Sequence, residues 1–113
     1  MKIRVKDHAS FSADKMAKIA LATTDRTQLD LYCVAPGQSQ KAHSHQDQDK
    51  IYYVVEGSGR FALGSQEERL SAGEALIAPA GAEHGLVNDG TEPLFVLVVV
   101  TPPPSHEASV SRS

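Results

Sequence analysis

The sequence predicts an all-β fold, an antiparallel sandwich or barrel, on three observations. Turn signals recur at short intervals: Pro36-Gly37, Gly57-Ser58-Gly59, Gly64-Ser65, Ala72-Gly73, Pro79-Ala80-Gly81 and Asn88-Asp89-Gly90. The runs between them are short and rich in Val, Ile, Leu, Tyr and Phe. The length of 113 residues suits one hydrophobic core and is too short for two.

Taken in order, the predicted strands are Lys15 to Thr23, Gln28 to Ala35, Gln40 to His45, Ile51 to Glu56, Gly59 to Leu63, Glu67 to Leu70, Ala75 to Ala78, His84 to Asn88 and Leu94 to Val100. Ser10 to Met16 is compatible with a helical turn, but Lys15 to Ala22 alternates as a strand does and is read as one. Leu63-Gly64-Ser65-Gln66-Glu67 has the composition of a tight hairpin, which would set Arg60 opposite Glu68. Leu94 to Val100 is the longest apolar run, far short of the roughly 20 residues of a membrane helix. From Pro102 onward the chain is too polar and Pro-rich to pack a core, so residues 102–113 are expected to form a flexible tail.

Hydrophobic residues make up 41% and charged residues 22%, which places the chain among ordinary globular proteins. The net charge of −3 comes with neither a basic patch nor an acidic block, so no nucleic acid and no membrane partner is expected. Cys33 is the only cysteine, and the first residues lack the apolar run of a secretion signal. A cytoplasmic protein without disulfides is the expectation.

Two stretches carry the chemistry. The first reads Gly37-x5-His43-x-His45, then a variable stretch, then Gly57; the second reads Gly73-x5-Pro79-x-Gly81-x2-His84-x3-Asn88. On a strand, alternation puts His43 and His45 on one face and Ala42 and Ser44 on the other. His84 arrives from a second strand, just after the Pro79/Gly81 turn. Three neutral imidazoles on rigid strands suit Fe, Ni, Mn, Cu or Zn and leave positions open for water or substrate. A single histidine in a strand is more often a hydrogen-bonded polar residue than a ligand, and the grouping of three is what favours a metal. His8 and His106 lie outside both stretches and are read as solvated.

These stretches resemble the two conserved motifs of the cupin superfamily, over roughly residues 28 to 101. The resemblance implies a double-stranded β-helix, the jelly-roll barrel of the RmlC-like cupins, occupying residues 1–101 as a single domain with motifs at 37–57 and 73–88. It also implies a homodimer and a divalent metal held inside the barrel by His43, His45 and His84. Cupins usually add a glutamate four or five residues after the second histidine, and here those places hold Asp49 and Lys50. A protonated amine cannot ligate and repels a cation. Asp49 completing the site as a shorter carboxylate, a three-histidine centre with waters, and an inward Lys50 in a partly metal-free pocket all stay open, and Gln48 is a further amide-oxygen donor. The ordinary expectation for Lys50 is an outward turn toward Asp47 or Asp49.

Tyr52, two positions beyond Lys50, shares its face with Val54 and is a candidate for orienting substrate near the metal. Cys33 falls in phase with Leu29, Leu31 and Ala35 and reads as a buried structural thiol, or as a residue lining the cavity. The functional expectation is a metal-dependent enzyme on a small organic molecule. The resemblance covers both dioxygenases of phenolic or diketone-like compounds and isomerases or lyases of sugar-derived acids. The alternative is a non-catalytic module that binds or senses a small ligand or a metal.

Overall fold

The computed structural model describes residues 1–104, and the predicted tail from 105 onward, His106 included, lies outside the described residues. Nine strands form among the described residues: β1 (Ala17–Thr23), β2 (Gln28–Val34), β3 (Ser39–His43), β4 (Asp49–Glu56), β5 (Ser58–Leu63), β6 (Gln66–Ser71), β7 (Ala75–Ala78), β8 (His84–Val87) and β9 (Leu94–Thr101). They make two antiparallel sheets, one in the order β1-β2-β9-β4-β7 and one in the order β3-β8-β5-β6. A short 3-10 turn at Val5–His8 carries His8, which is exposed.

Alternation decides what each strand buries. Along β4, Lys50, Tyr52 and Val54 are buried while Asp49 and Tyr53 are exposed. The inner faces of both sheets meet in one cluster that includes Tyr32, Tyr52, Val54, Phe61, Leu86, Val96, Val98 and Val100. At about 25 cal/mol per Å² of apolar surface, burying each of these aliphatic side chains contributes roughly 1.5–3 kcal/mol, and the barrel interior is the main source of stability.

A second, smaller cluster lies on the outside of the five-stranded sheet. Leu31, Cys33 and Phe95 point outward there and are covered by Val5 and Ala9 of the N-terminal arm. Phe11 stacks edge-on against Phe95 at 5.4 Å, and Lys6 both pairs with Glu56 and sits 4.7 Å from the Phe95 ring centre. Gln38 pins the arm by donating to the Ser12 carbonyl at 2.7 Å. Cys33 is fully buried in this cluster, so of the two readings of the thiol the structural one holds and it lines no cavity among the histidines.

The hairpin of β5 and β6 forms, but its register sets Arg60 opposite Arg69 and Phe61 opposite Glu68. The expected Arg60–Glu68 pairing is therefore replaced. Two arginines side by side are tolerated because Asp89 lies between them, 2.7 Å from Arg69 Nη2 and 3.9 Å from Arg60 Nη1, with Glu67 3.8 Å from Arg60 Nε.

The motif glycines tie the barrel together. Gly57 has φ +87°, and a Cβ there would lie 2.4 Å from the Pro93 carbonyl oxygen, so only glycine closes the turn from β4 to β5. Asn88 clamps the opposite end: its side chain donates to the carbonyls of Val34 and Glu92 and accepts from the Gly90 N–H, while its backbone bonds to Gly37 and Gln38.

Candidate metal centre

His43 is the last residue of β3 and His84 the first of β8, and the two pair directly across the ladder. The pairing is irregular between Gln40 and His43. This bulge is necessary, because Gln40 and His43 are three apart and strict alternation would put them on opposite faces. His45 lies beyond the end of β3, where Gly81 in its left-handed conformation donates its N–H to the His45 carbonyl at 2.8 Å. Strand alternation thus orients His43 less simply than the sequence suggested, and a turn-to-turn hydrogen bond rather than the strand holds His45.

The three side chains converge. One ring nitrogen from each of His43, His45 and His84 lies within 4.8 Å of the other two. Ring centres of His43 and His84 are 4.4 Å apart, those of His43 and His45 5.0 Å, and those of His45 and His84 6.0 Å.

Two rings have their tautomer set by the backbone. His43 Nδ1 lies 2.9 Å from the Lys41 carbonyl and His84 Nδ1 lies 2.9 Å from the Ala82 carbonyl. A carbonyl only accepts, so in the neutral imidazole the proton is on Nδ1 and the lone pair on Nε2. His84 Nε2 is buried and has no hydrogen-bond partner among the described residues. Burial, opposed by the Ala82 hydrogen bond and reinforced by the charges of Lys50, His43 and His45, holds the His84 pKa down to about 4. At neutral pH its Nε2 is therefore an unprotonated donor aimed into the cluster, and the three-imidazole set fits a divalent transition metal.

Asp49 is not brought to the histidines. It is exposed, and its Oδ1 accepts the Ala80 N–H at 2.9 Å, which braces the Pro79-Ala80-Gly81 turn. Gln48 is buried. Lys50 corrects the expectation of an outward turn: it is 2% exposed, on the inward face of β4 opposite Val100 and Ala78. Its Nζ donates to the Tyr32 hydroxyl at 3.4 Å and lies 5.8 Å from the Tyr52 ring centre. The Tyr52 ring is in turn 6.0 Å from the His84 ring. The strand had to turn one of Asp49 and Lys50 inward, and the apolar parity of Tyr52 and Val54 selected Lys50.

Sequence reasoning missed the rest of the polar interior. The Tyr52 hydroxyl donates to Gln40 Oε1 at 2.7 Å, and Gln40 Nε2 donates to the Tyr32 hydroxyl at 3.4 Å, so Lys50, Tyr32, Gln40 and Tyr52 form one buried chain of hydrogen bonds. Asp30 is buried on the same inward face as Tyr32, held by Gln28 Nε2 at 2.9 Å. The signal for both was phase with Val34, which the polarity of Asp30 obscured. An open cleft of about 540 Å³ lies between the arm, β1 and β3, lined by residues that include Lys15, Lys18, Gln40 and Lys41 but none of the three histidines.

With this geometry in place, comparison with known proteins identifies the class. The cupin domain family matches residues 30–100, and the chain belongs to that family. Among solved structures it is similar to TT1209 of Thermus thermophilus, at 43% identity and a TM-score of 0.88, over 92% of this chain and 100% of that one. It is 36% identical over 69 residues to the tetracenomycin polyketide synthase protein TcmJ of Streptomyces glaucescens, covering 61% of this chain and 46% of that protein. To an oxalate-binding protein of Thermotoga maritima it is 31% identical over 65 residues, covering 58% of this chain and 54% of that protein. The match spans about half the length of these two relatives.

Proposed function

We propose that this chain is a metal-dependent cupin enzyme that holds a divalent transition metal on His43, His45 and His84 and acts on a small organic molecule inside the barrel. The observation that carries this reading is the convergence of three ring nitrogens within 4.8 Å, one of them the buried Nε2 of His84, which has no hydrogen-bond partner among the described residues. Iron, nickel, manganese, copper or zinc suits such a site, and supplies Lewis acidity or, where redox-active, oxygen activation. The chain's own part is to fix the rings through the Lys41 and Ala82 carbonyls and to keep His84 neutral by burial. Tyr52, held by Gln40, stands beside His84 as a rigid wall for the substrate.

The reaction class is either oxygenation of a phenolic or diketone-like compound or isomerisation or elimination on a sugar-derived acid. A second reading, a non-catalytic binding module, is favoured by one observation: Lys50 is buried where cupins usually place the glutamate ligand. The similarity to an oxalate-binding protein agrees with it. Elemental analysis and calorimetric metal titration of the purified protein test the site. One metal per chain is expected, with affinity falling by about a hundredfold or more in His43→Ala. Unchanged binding in that variant sinks the site. Oxygen-uptake and sugar-acid isomerisation assays on the loaded protein then separate the enzyme from the module.

The same proposal extends to a cytoplasmic location and a homodimer.

A further inference from the structure

We propose that the open cleft between the N-terminal arm, β1 and β3 is a second site, separate from the histidines, for an organic carboxylate with an apolar body, such as a medium-chain fatty acid anion. None of His43, His45 and His84 lines the cleft, so the inference does not depend on a metal there. β1 is an edge strand of one sheet and β3 of the other, which leaves a seam between the two sheets. The seam opens into about 540 Å³, within the roughly 300–1,000 Å³ usual for small-molecule pockets. Its walls are held in place by the protein itself. Met16, where the arm meets β1, packs into the barrel core and is 6% exposed. The Ser12 carbonyl accepts from Gln38 Nε2 at 2.7 Å, which fixes the arm. Gln40 is buried, its Oε1 accepting from the Tyr52 hydroxyl at 2.7 Å, so its amide is committed to the interior.

The lining includes three of the chain's 11 basic residues, Lys15, Lys18 and Lys41, and none of its 14 acidic ones. Lys18 lies 5.6 Å from the Tyr32 ring centre and is already engaged by the protein, so the charge left for a ligand is that of Lys15 and Lys41. Both are exposed, one on the arm and one on β3, and neither is in an ion pair among the described residues. An inorganic anion would neutralise them and leave Met16, Ala17 and the lysine stems in contact with water. An uncharged apolar molecule would cover that surface and leave the two cations unmatched. A carboxylate with an apolar body meets both demands: its two oxygens suit two ammoniums arriving from different walls, and its body lies along Met16, Ala17 and the lysine methylenes. No arginine lines the cleft, so nothing in it is shaped for the planar, bidentate grip on a phosphate. In a chain of net charge −3 this local excess of positive charge also draws such an anion in.

The test is calorimetric titration of octanoate into the chelator-treated wild-type protein, beside acetate and 1-octanol, and into the double variant Lys15→Gln with Lys41→Gln. Octanoate should bind saturably, and acetate and 1-octanol each about tenfold more weakly or worse. The double variant should lose about tenfold in octanoate affinity at an unchanged Tm, since both side chains are exposed. Backbone amide shifts in NMR, followed through the wild-type titration, should change at residues 12–18 and 39–41. The wild-type measurements need no variant, so a substitution that fails to fold leaves the decisive comparison intact. Equal octanoate affinity in the double variant, or acetate bound as tightly as octanoate, overturns the proposal. Shifts centred on His43, His45 and His84 would move the ligand to the histidines and overturn it equally, as would the absence of saturable octanoate binding. None of these outcomes bears on metal binding, so the metal reading and the cleft stand or fall separately.

Discussion

At the scale of the residue, His84 matters to both the folded and the liganded protein. Its imidazole is buried against Tyr52 and His43 with Nδ1 committed to the Ala82 carbonyl. Its pKa of about 4 lies below the ordinary imidazole value of about 6.5. Between those two values the unfolded chain binds a proton that the folded chain refuses. The stability owed to a neutral His84 is therefore fully present above about pH 6.5 and is lost as the pH falls toward 4, a contribution of order 2–3 kcal/mol. Urea unfolding of the metal-free protein should show its midpoint dropping across that window. His84→Phe, which keeps a ring in the site but cannot titrate, should remove much of that slope, and an unchanged slope in the variant would contradict this account. Metal binding follows the same sign: above about pH 5 protons do not compete for His84 Nε2.

At the scale of the element, the bulge in β3 is what brings His43 to His84, and Gly85 permits it. A Cβ on Gly85 would lie 2.7 Å from the Gln40 carbonyl oxygen and 3.0 Å from both Cα and N of Ala42, all backbone atoms that cannot rotate away. Gly85→Ala must therefore push β3 off β8, at a cost of about 1–3 kcal/mol, and separate rings that now stand 4.4 Å apart. A fall in metal affinity of about tenfold, measured by calorimetry beside a lowered Tm, is the expected result. Equal affinity and Tm would show that the bulge does not position His43. This element also marks how far the sequence could be read. The strands begin and end close to their predicted bounds because the Gly and Pro turns that stop them are local. Two differences touch the site: β3, predicted to run to His45, stops at His43, since its bulge depends on Gly85, a neighbour far along the chain, and β4, predicted from Ile51, begins at Asp49 and so takes in Lys50. The three histidines were legible from their spacing. The inward Lys50 was not, because charge and strand parity gave opposite instructions, and parity, backed by Tyr52 and Val54 on the same face, prevailed.

At the scale of the whole molecule, the outer face of the five-stranded sheet is divided. The N-terminal arm covers Leu31, Cys33 and Phe95, whereas the part of the face running from Leu97 and Val99 of β9 across Ile51 and Tyr53 of β4 to β7 lies outside that covered cluster. Two rows cross it, Leu97–Tyr53–Ala75 and Val99–Ile51–Ile77, each residue paired in register with the next. Tyr53 is 42% and Ile77 60% exposed, and the six side chains include no charge. A continuous apolar patch of this kind beside an edge strand, β7, is a site for association. We propose a second copy of the chain as the occupant, because a surface without charge is complementary to itself about a two-fold axis and offers no ion pair by which to select another partner. Both copies would then keep their histidine clusters free, since those lie on the inner side of the sheets and the patch on the outer. Sedimentation or light scattering over a range of concentrations should therefore find a dimer. Ile77→Lys combined with Tyr53→Lys should shift it to monomer by at least about tenfold in dissociation constant, because both face solvent in the monomer and would each bury a cation in the dimer. Metal affinity should be unchanged in that double variant, which separates lost association from lost folding. A wild-type protein that stays monomeric at every concentration would rule the dimer out and leave the patch without an occupant.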